Sequence, residues 1–453
     1  GFIRASVTVM APGDSLPGHP EVEEGDEEEV DLQNISSLVL KPPEIEYVGA
    51  ELVVRCYRAE DLPKMDTFGK CDGYIKVQFA GNELKSSVVK KSYTPVWNEE
   101  LVFPVFLPNL SDKITISLYD WDRMARDDLV GMYFSRFSDV MLTGFPPIWI
   151  NLYGPPLDPS FRDKASRLFS RGKMEPSEYH GRTLLAMTHR NTDPPQLRGP
   201  SNIAPCALPE TQEYTLRFDL YQGVEFPANK LQNVSVEVCV GPYSCKSRKS
   251  SLRAGVFAWF EQFEMKFEYP KKIETVPDII VNFFVKGMGQ SSHIGFLRFK
   301  AADVVGFNKN PSWKIIEANK LSAAIEKDTI PGFVMYNLEF GPSHRAPLVR
   351  KPLSFPRSRK YQLRAHIFQG KDIPAADDTG TSDPYVRVLL GPSKGQTRVV
   401  WKTNWPVWYQ TICMDVELPS DLHFAPRVIC QVFDRDKNIF DPDDFLGRFE
   451  INT

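Results

Sequence analysis

Two aspartates six residues apart, Asp66 and Asp72, sit in the run Lys64-Met65-Asp66-Thr67-Phe68-Gly69-Lys70-Cys71-Asp72-Gly73-Tyr74. Three more, Asp120, Asp122 and Asp128, fall in a second run from Tyr119 to Gly131. Between them lies Thr94-Pro95-Val96-Trp97-Asn98-Glu99-Glu100. Alternating apolar residues flank each acidic run, so the aspartates belong to turns between strands. Carboxylates gathered at one end of a fold repel one another unless a cation neutralises them. A hard divalent ion meets that need, and calcium accepts loop carboxylates in variable geometry. The pattern returns near the end of the chain. There Asp377 and Asp383 precede Asn404-Trp405-Pro406-Val407-Trp408, and Asp434-Arg435-Asp436 leads to Asp443-Asp444 through a longer loop.

The elements that must position these turns are strands. Leu52 to Tyr57, Ile75 to Phe79, Ile114 to Tyr119 and Ile148 to Leu152 are short, β-rich and separated by turn residues, with no long amphipathic helix between them. This pattern predicts an all-β fold of tandem antiparallel β-sandwiches. Trp97, Trp259 and Trp408 mark three copies, at a spacing too long for a solenoid unit and suited to independent domains. The expected organisation begins with a closing strand of a preceding domain at 1–10 and an acidic, disordered linker at 11–34. A sandwich with acidic loops follows at 35–190, then a proline-rich linker at 191–212. A degenerate sandwich without the aspartates spans 213–340, a further linker spans 341–359, and a third sandwich with acidic loops, expected to be C-terminally incomplete, spans 360–453. In the middle copy, Glu225 to Lys230 and Val285 to Ser291 stand where the acidic loops stand in the others.

The two acidic runs and the Thr-Pro-Val-Trp-Asn-Glu-Glu segment between them resemble the calcium-binding loops of a C2 domain. At a larger scale the chain resembles the ferlin family, in which several C2 domains follow one another. Phe2-Ile3-Arg4-Ala5-Ser6-Val7 through Ala11-Pro12-Gly13-Asp14 is similar to the end of an early ferlin C2 domain. Trp149 to Gly154 with His180 to Leu185 resembles the end of the third, and Arg359 to Ala365 with Ser382-Asp383-Pro384-Tyr385 resembles the opening of the fourth. The long inserts of vertebrate ferlins in this region have little room here.

The resemblance implies calcium ligands at Asp66, Asp72, Asp120, Asp122 and Asp128, with backbone carbonyls from Met65 and Trp121. In the last copy it implies Asp377, Asp383, Asp434, Asp436 and one of Asp443 or Asp444. It implies a calcium-dependent phospholipid-binding region in vesicle trafficking, membrane fusion or repair. The site would lie on the cytoplasmic face of a vesicle or plasma membrane, with an anchor outside this sequence. Met65, Phe68, Met124, Ile439 and Phe440 are the apolar side chains expected to enter the membrane interface. Lys85, Lys90 and Lys91, and Lys246, Arg248, Lys249 and Arg253, are the basic groups expected to meet phosphoinositides. Expected partners are anionic phospholipid membranes, phosphoinositides and fusion-machinery proteins. Two other classes compete: the regulatory C2 array of an enzyme, and a protein-binding scaffold.

Composition narrows these choices. A net charge of −4 does not suggest nucleic-acid binding. Seven scattered cysteines without metal spacing suit a reducing compartment. The chain has no nucleophile elbow, phosphate loop or His-Glu-x-x-His motif, so a non-enzymatic protein is expected.

Overall fold

Period-two alternation shapes this chain, because a strand so patterned must lay one face on a partner sheet. The computed structural model describes residues 47–64, 70–109, 111–122, 127–154, 178–227, 232–253, 256–287, 291–319, 322, 331–353, 357–376, 380–420, 422, 425–436 and 443–451. The segments 1–10 and 11–34 lie outside the described residues, as do Met65, Asp66, Phe68, Met124, Asp377, Ile439 and Phe440. Residues 48–453 form one unit.

The first sandwich contains β1 (Val48–Glu60), β2 (Gly73–Phe79), β3 (Asn82–Lys85), β4 (Val96–Leu107) and β5 (Lys113–Asp120). It continues through β6 (Asp128–Arg136), helix α1 (Phe137–Thr143), β7 (Phe145–Gly154), β8 (Glu178–Asn191) and β9 (Arg198–Asn202). Its strand order is β3-β2-β5-β6-β7-β8-β1-β4-β9. A single residue pair, Met132 with Tyr153, joins β6 to β7, and there the sheet turns over into its second layer. Leu52, Val54 and Leu185 from one layer meet Ile75, Val77 and Leu118 from the other in a buried core.

The middle sandwich contains β10 (Thr211–Val224), β11 (Asn233–Val240), β12 (Tyr243–Lys246), β13 (Ser250–Ser251) and β14 (Val256–Pro270). It is completed by β15 (Ile279–Lys286), β16 (Ser291–Phe299), β17 (Ser312–Ile315), β18 (Glu317–Ala318) and β19 (Phe333–Pro342). Sheet β14-β10-β19-β17 faces sheet β12-β11-β15-β16-β18. Between them is an aromatic core that includes Tyr214, Phe218, Phe257, Trp259, Phe283 and Phe340. The third sandwich has β20 (Ser358–Gln369), β21 (Pro384–Leu390), β22 (Ser393–Gln396), β23 (Val407–Pro419), β24 (Val428–Asp434) and β25 (Asp444–Ile451). These pair as β20-β23 and β22-β21-β24-β25.

One backbone device recurs in all three copies. The opening strand bulges between Cys56 and Arg58, Leu220 and Gln222, and Ile367 and Gln369. The residue after each core tryptophan takes a left-handed conformation: Asn98 at φ 51°, Phe260 at 51° and Tyr409 at 44°. Such bulges bend and twist the strand, which aims its end at the acidic loops. Phenylalanine and tyrosine accept this backbone only where surrounding structure imposes it.

The expected linkers are more structured than composition suggests. Within 191–212, β9 pairs with β4, so this part of the stretch belongs to the first sandwich. Glu51, buried on β1, holds it: Arg190 Nη2 lies at 2.7 Å, Arg198 Nη2 at 2.9 Å, and Gln196 N–H donates at 3.1 Å. Burial pushes the Glu51 carboxyl up, but Arg190, the Gln196 amide and Arg198 outweigh it and leave the group below its ordinary value. Within 341–359, Arg350 Nη2 donates to Asp219 Oδ1 at 2.6 Å and fastens that stretch to the middle sandwich.

Candidate functional site: two acidic lattices and a covered third apex

Strand register brings the aspartates of distant loops together. Antiparallel pairing of β2 with β5 sets Gly73 opposite Asp120, so Asp72 lies beside the end of β5. The Asp72 amide donates to Asp120 Oδ1 at 2.6 Å, and the Trp121 amide donates back to the Asp72 carbonyl at 3.0 Å. Asp72 Oδ1 accepts from the Lys91 amide at 2.6 Å, which ties in the loop that precedes Trp97. Lys91 takes a left-handed φ of 55° there, directing its N–H at the carboxylate. Pairing of β5 with β6 then sets Asp128 opposite Asp120, which is 1% exposed. Asp122 follows in the same loop.

The neighbouring Asp127 has a different job. Its Oδ2 accepts from the Tyr74 hydroxyl at 2.7 Å, and its Oδ1 accepts from the Asp122 amide at 3.2 Å. It therefore closes the second loop onto β2. Burial, then the Asp127 carboxylate, push the Tyr74 phenol well above its ordinary value and keep it a donor.

The third sandwich builds the same lattice from different neighbours. The Asp383 amide donates to Asp434 Oδ1 at 2.5 Å, Lys402 N–H donates to Asp383 Oδ1 at 2.6 Å, and Arg435 N–H donates to the Asp383 carbonyl at 3.0 Å. Asp434 lies opposite Asp444. Asp443 repeats Asp127: the Tyr385 hydroxyl donates at 2.7 Å and the Asp436 amide at 3.3 Å, with Arg435 Nη1 added at 3.0 Å. Burial raises the Asp443 carboxyl, but Tyr385, Arg435 and the Asp436 amide together hold it below its usual value. The Tyr385 phenol is pushed up to about 12, by burial first and then by Asp443. Sequence left the choice between Asp443 and Asp444 open. Register aligns Asp444 with Asp128, and Asp443 with the loop-closing Asp127.

These donors fit a hard cation, being oxygens on several loops whose carboxylates are oriented by backbone amides. Asp66 and Asp377, which would complete each set, lie outside the described residues. Among the described residues, no three acidic, histidine or cysteine groups converge closely enough to hold a metal by themselves.

A second recurring bulge, between Leu118 and Tyr119, Phe283 and Phe284, and Val432 and Phe433, fixes the correspondence in the middle sandwich. Gly131, Gly295 and Gly447 lie opposite Leu118, Phe283 and Val432. Counting outward, Asn233 stands at the place of Asp72, Val285 at Asp120, Gly287 at Asp122 and Ser292 at Asp128. No carboxylate remains. What covers this end instead is the third sandwich. Val224 and Phe333, at the rim of the middle sandwich, bury against Leu389 of β21 and Ile429 of β24, with Trp313 and Ile315 packed alongside. Burial there raises the Glu225 carboxyl, countered by Lys394 and Arg387 of the third sandwich. The first sandwich meets the middle one similarly: Tyr153 packs on Ile280 and Phe296, and its hydroxyl accepts from the Asp278 amide at 2.6 Å.

The basic candidates are dispersed. Lys246 pairs with Glu237 at 3.4 Å and Arg248 with Glu261 at 3.4 Å, while Lys249 and Arg253 are exposed. Lys90 lies 5.0 Å from the Trp121 ring and Lys91 serves through its backbone. Lys85 stands opposite Lys76 across β2 and β3. Their ammonium groups lie 5.4 Å from the Tyr74 ring and 4.5 Å from the Tyr119 ring, and the two rings stack at 5.6 Å. Lys76, Tyr74 and Tyr119 were not singled out from sequence. The signal was present: on β2, residues two apart share a face.

Residues 50–152 and 361–453 match the C2-domain family model. Ferlin 2 of Toxoplasma gondii is 26% identical over 93% of this chain and 33% of its own length. Ferlin 1 of the same organism is 22% identical over 99% of this chain, again 33% of its own length. The chain is similar to these two ferlins along nearly its whole length. Myoferlin of Mus musculus is 27% identical over 54% of this chain and 14% of its own length. The chain therefore spans about a third of the first two relatives and less of the third. Among solved structures, the paired C2 domains of extended-synaptotagmin 2 align with TM-score 0.25 and 15% identity, covering 72% of this chain and 97% of theirs. Among the described residues, no helix is long and apolar enough to cross a membrane.

Proposed function

We propose that this chain is a ferlin-like, calcium-dependent phospholipid-binding array without catalytic activity of its own. Its role is in vesicle trafficking, membrane fusion or repair at the cytoplasmic face of a vesicle or plasma membrane. One observation carries the reading: the first and third sandwiches hold their loop aspartates by the same set of amide and tyrosine hydrogen bonds. Selection for a solvated acidic turn alone has no need of that repetition. Asp66, Asp72, Asp120, Asp122 and Asp128 would hold calcium in the first, and Asp377, Asp383, Asp434, Asp436 and Asp444 in the third.

Without a cation the aspartates repel anionic head groups. Bound calcium would supply the positive charge that reverses this and would accept lipid oxygens as further ligands. The backbone amides keep the carboxylates oriented while charge changes around them. Met65, Phe68, Met124, Ile439 and Phe440 are the apolar side chains assigned to the interface in this reading. Lys76 and Lys85, which lie over tyrosine rings and share Glu83 at 3.6 and 3.9 Å, are a further basic pair for phosphoinositide phosphates beside the middle-domain lysines and arginines.

The test is co-sedimentation of the chain with phosphatidylserine and phosphoinositide vesicles, with calcium and with chelator. Asp120→Asn/Asp122→Asn and Asp434→Asn/Asp436→Asn are compared singly and combined. Calcium-dependent binding should fall with each pair and vanish with both. Binding that ignores calcium and all four substitutions would refute the metal switch.

A further inference from the structure

The third sandwich carries two tryptophans that belong neither to its core nor to its acidic loops. Trp401 is 56% exposed and Trp405 57% exposed, although a tryptophan ring ordinarily buries most of its surface. Both lie on the loop before β23, and that loop is bonded to the acidic end of the domain along its length. Val400 N–H donates to the Pro384 carbonyl at 3.1 Å, Lys402 N–H to Asp383 Oδ1 at 2.6 Å, and Thr403 N–H to the Ser382 carbonyl at 2.8 Å. Asn404 Nδ2 reaches the Gly380 carbonyl at 3.1 Å. The Trp405 amide is fixed by Thr403 Oγ1 at 3.0 Å, and Lys371 Nζ lies 5.2 Å from the Trp405 ring centroid. The rings are thus presented on a braced loop beside Asp383.

Their exposure follows from position. In the first sandwich, Lys90 and Thr94 occupy the corresponding places, immediately before Lys91 and Pro95, and neither is buried there although β7 and β8 complete that fold. Phe368 and Tyr409, also exposed, are a different case. Tyr57, the counterpart of Phe368, packs against Trp149 of β7 and Leu184 of β8 in the first sandwich. The two loop tryptophans therefore stand at positions that the complete first sandwich also leaves at the surface.

We infer that Trp401 and Trp405 form an interfacial anchor of the third domain, inserting into a phospholipid surface while Lys371 and Lys402 meet its anionic head groups. The chemistry favours a lipid surface over other occupants. Indole combines a large apolar face with one N–H donor, and such rings settle at the boundary between head groups and acyl chains. The flanking lysines add the charge that holds a basic segment to an anionic leaflet. The anchor lies outside the two acidic loops and their tips, and its backbone is hydrogen-bonded to Asp383, so cation binding and insertion share one rigid end. This inference rests on the proposed lipid binding of the third domain.

The experiment uses the whole chain with phosphatidylcholine and phosphatidylserine vesicles in calcium, some carrying brominated acyl chains that quench tryptophan on contact. The variants are Trp401→Lys and Trp405→Thr, singly and together, because the first sandwich tolerates those residues at these places. Unchanged melting of each variant establishes its fold, and the milder Trp401→Phe/Trp405→Phe pair serves where it shifts. The inference expects quenching of the parent chain, most of it lost in the double variant, and about tenfold weaker partitioning per tryptophan removed. Quenching and partitioning that survive the double substitution overturn the anchor while leaving calcium-dependent binding intact. Parent chain that fails to sediment with vesicles overturns both readings. Loss of self-association in the double variant with vesicle binding unchanged assigns the rings to a second copy and also overturns the anchor.

Discussion

Asp443 and Asp444 are adjacent and chemically identical but differently bonded, so exchanging each for asparagine tests whether one holds the loop and the other a cation. Asp443 accepts from Tyr385, Arg435 and the Asp436 amide at 2.7, 3.0 and 3.3 Å. A hydrogen bond to a charged group contributes roughly 1.5–3 kcal/mol when shielded from water. The Arg435 side chain is 47% exposed, so its share is discounted to well under about 1 kcal/mol by solvent screening. Asparagine keeps one acceptor and loses the charge, which leaves a net cost of about 1–3 kcal/mol for Asp443→Asn. In a coupled unit of the size of the middle and third sandwiches that lowers the melting midpoint by roughly 2–4 °C per kcal/mol. Asp444 is exposed and opposite Asp434, and its replacement should leave the chelator-treated melt within about 0.5 kcal/mol of the parent. The assay is a thermal melt of the joint transition of the middle and third sandwiches, in chelator and again across a calcium titration. Asp443→Asn should melt early in chelator yet still gain stability from calcium. Asp444→Asn should melt normally in chelator and gain much less, because ligand binding stabilises only through native-state affinity. The reverse pattern would refute the register argument.

Two further outcomes follow from contacts outside the acidic loops. Glu51 has a folded value depressed below its unfolded one, so it stabilises the first sandwich above pH of about 4.3 and loses that effect as pH falls through the folded value. Glu51→Gln should flatten this acid limb of a stability–pH curve and speed protease cleavage within 191–202. An unchanged curve would show that the arginines do not hold β9. Leu389→Asp puts an unpaired charge into the contact with Val224 and Phe333, at a cost of roughly 3 kcal/mol or more. The middle and third sandwiches should then melt separately and give a longer small-angle scattering dimension, with the isolated third-domain melt unchanged. A single joint transition would refute coupling through this interface.

Sequence by itself determined the all-β class, the threefold recurrence of the tryptophan strand and the two acidic runs. Those signals are local: alternation, turn residues and spacing act within a few neighbours, and each survives in the one-dimensional pattern. It also exposed the missing aspartates of the middle copy. It did not reveal what packs at that end of the middle copy, because the partners of Val224 and Phe333 are Leu389 and Ile429, far along the chain. Nor could spacing tell Asp443 from Asp444, since their roles depend on which one faces Tyr385 and which one falls in register with Asp434. The stretch 191–212 has the proline content of a linker, yet buried Glu51 recruits it into the first sandwich. Lys76 became a lipid-facing candidate only when pairing set it across from Lys85 and over Tyr119. Strand register and domain docking are long-range choices, made by burial and by satisfying charged groups across the fold, and these decided what the acidic loops, lysines and tryptophans are positioned to do.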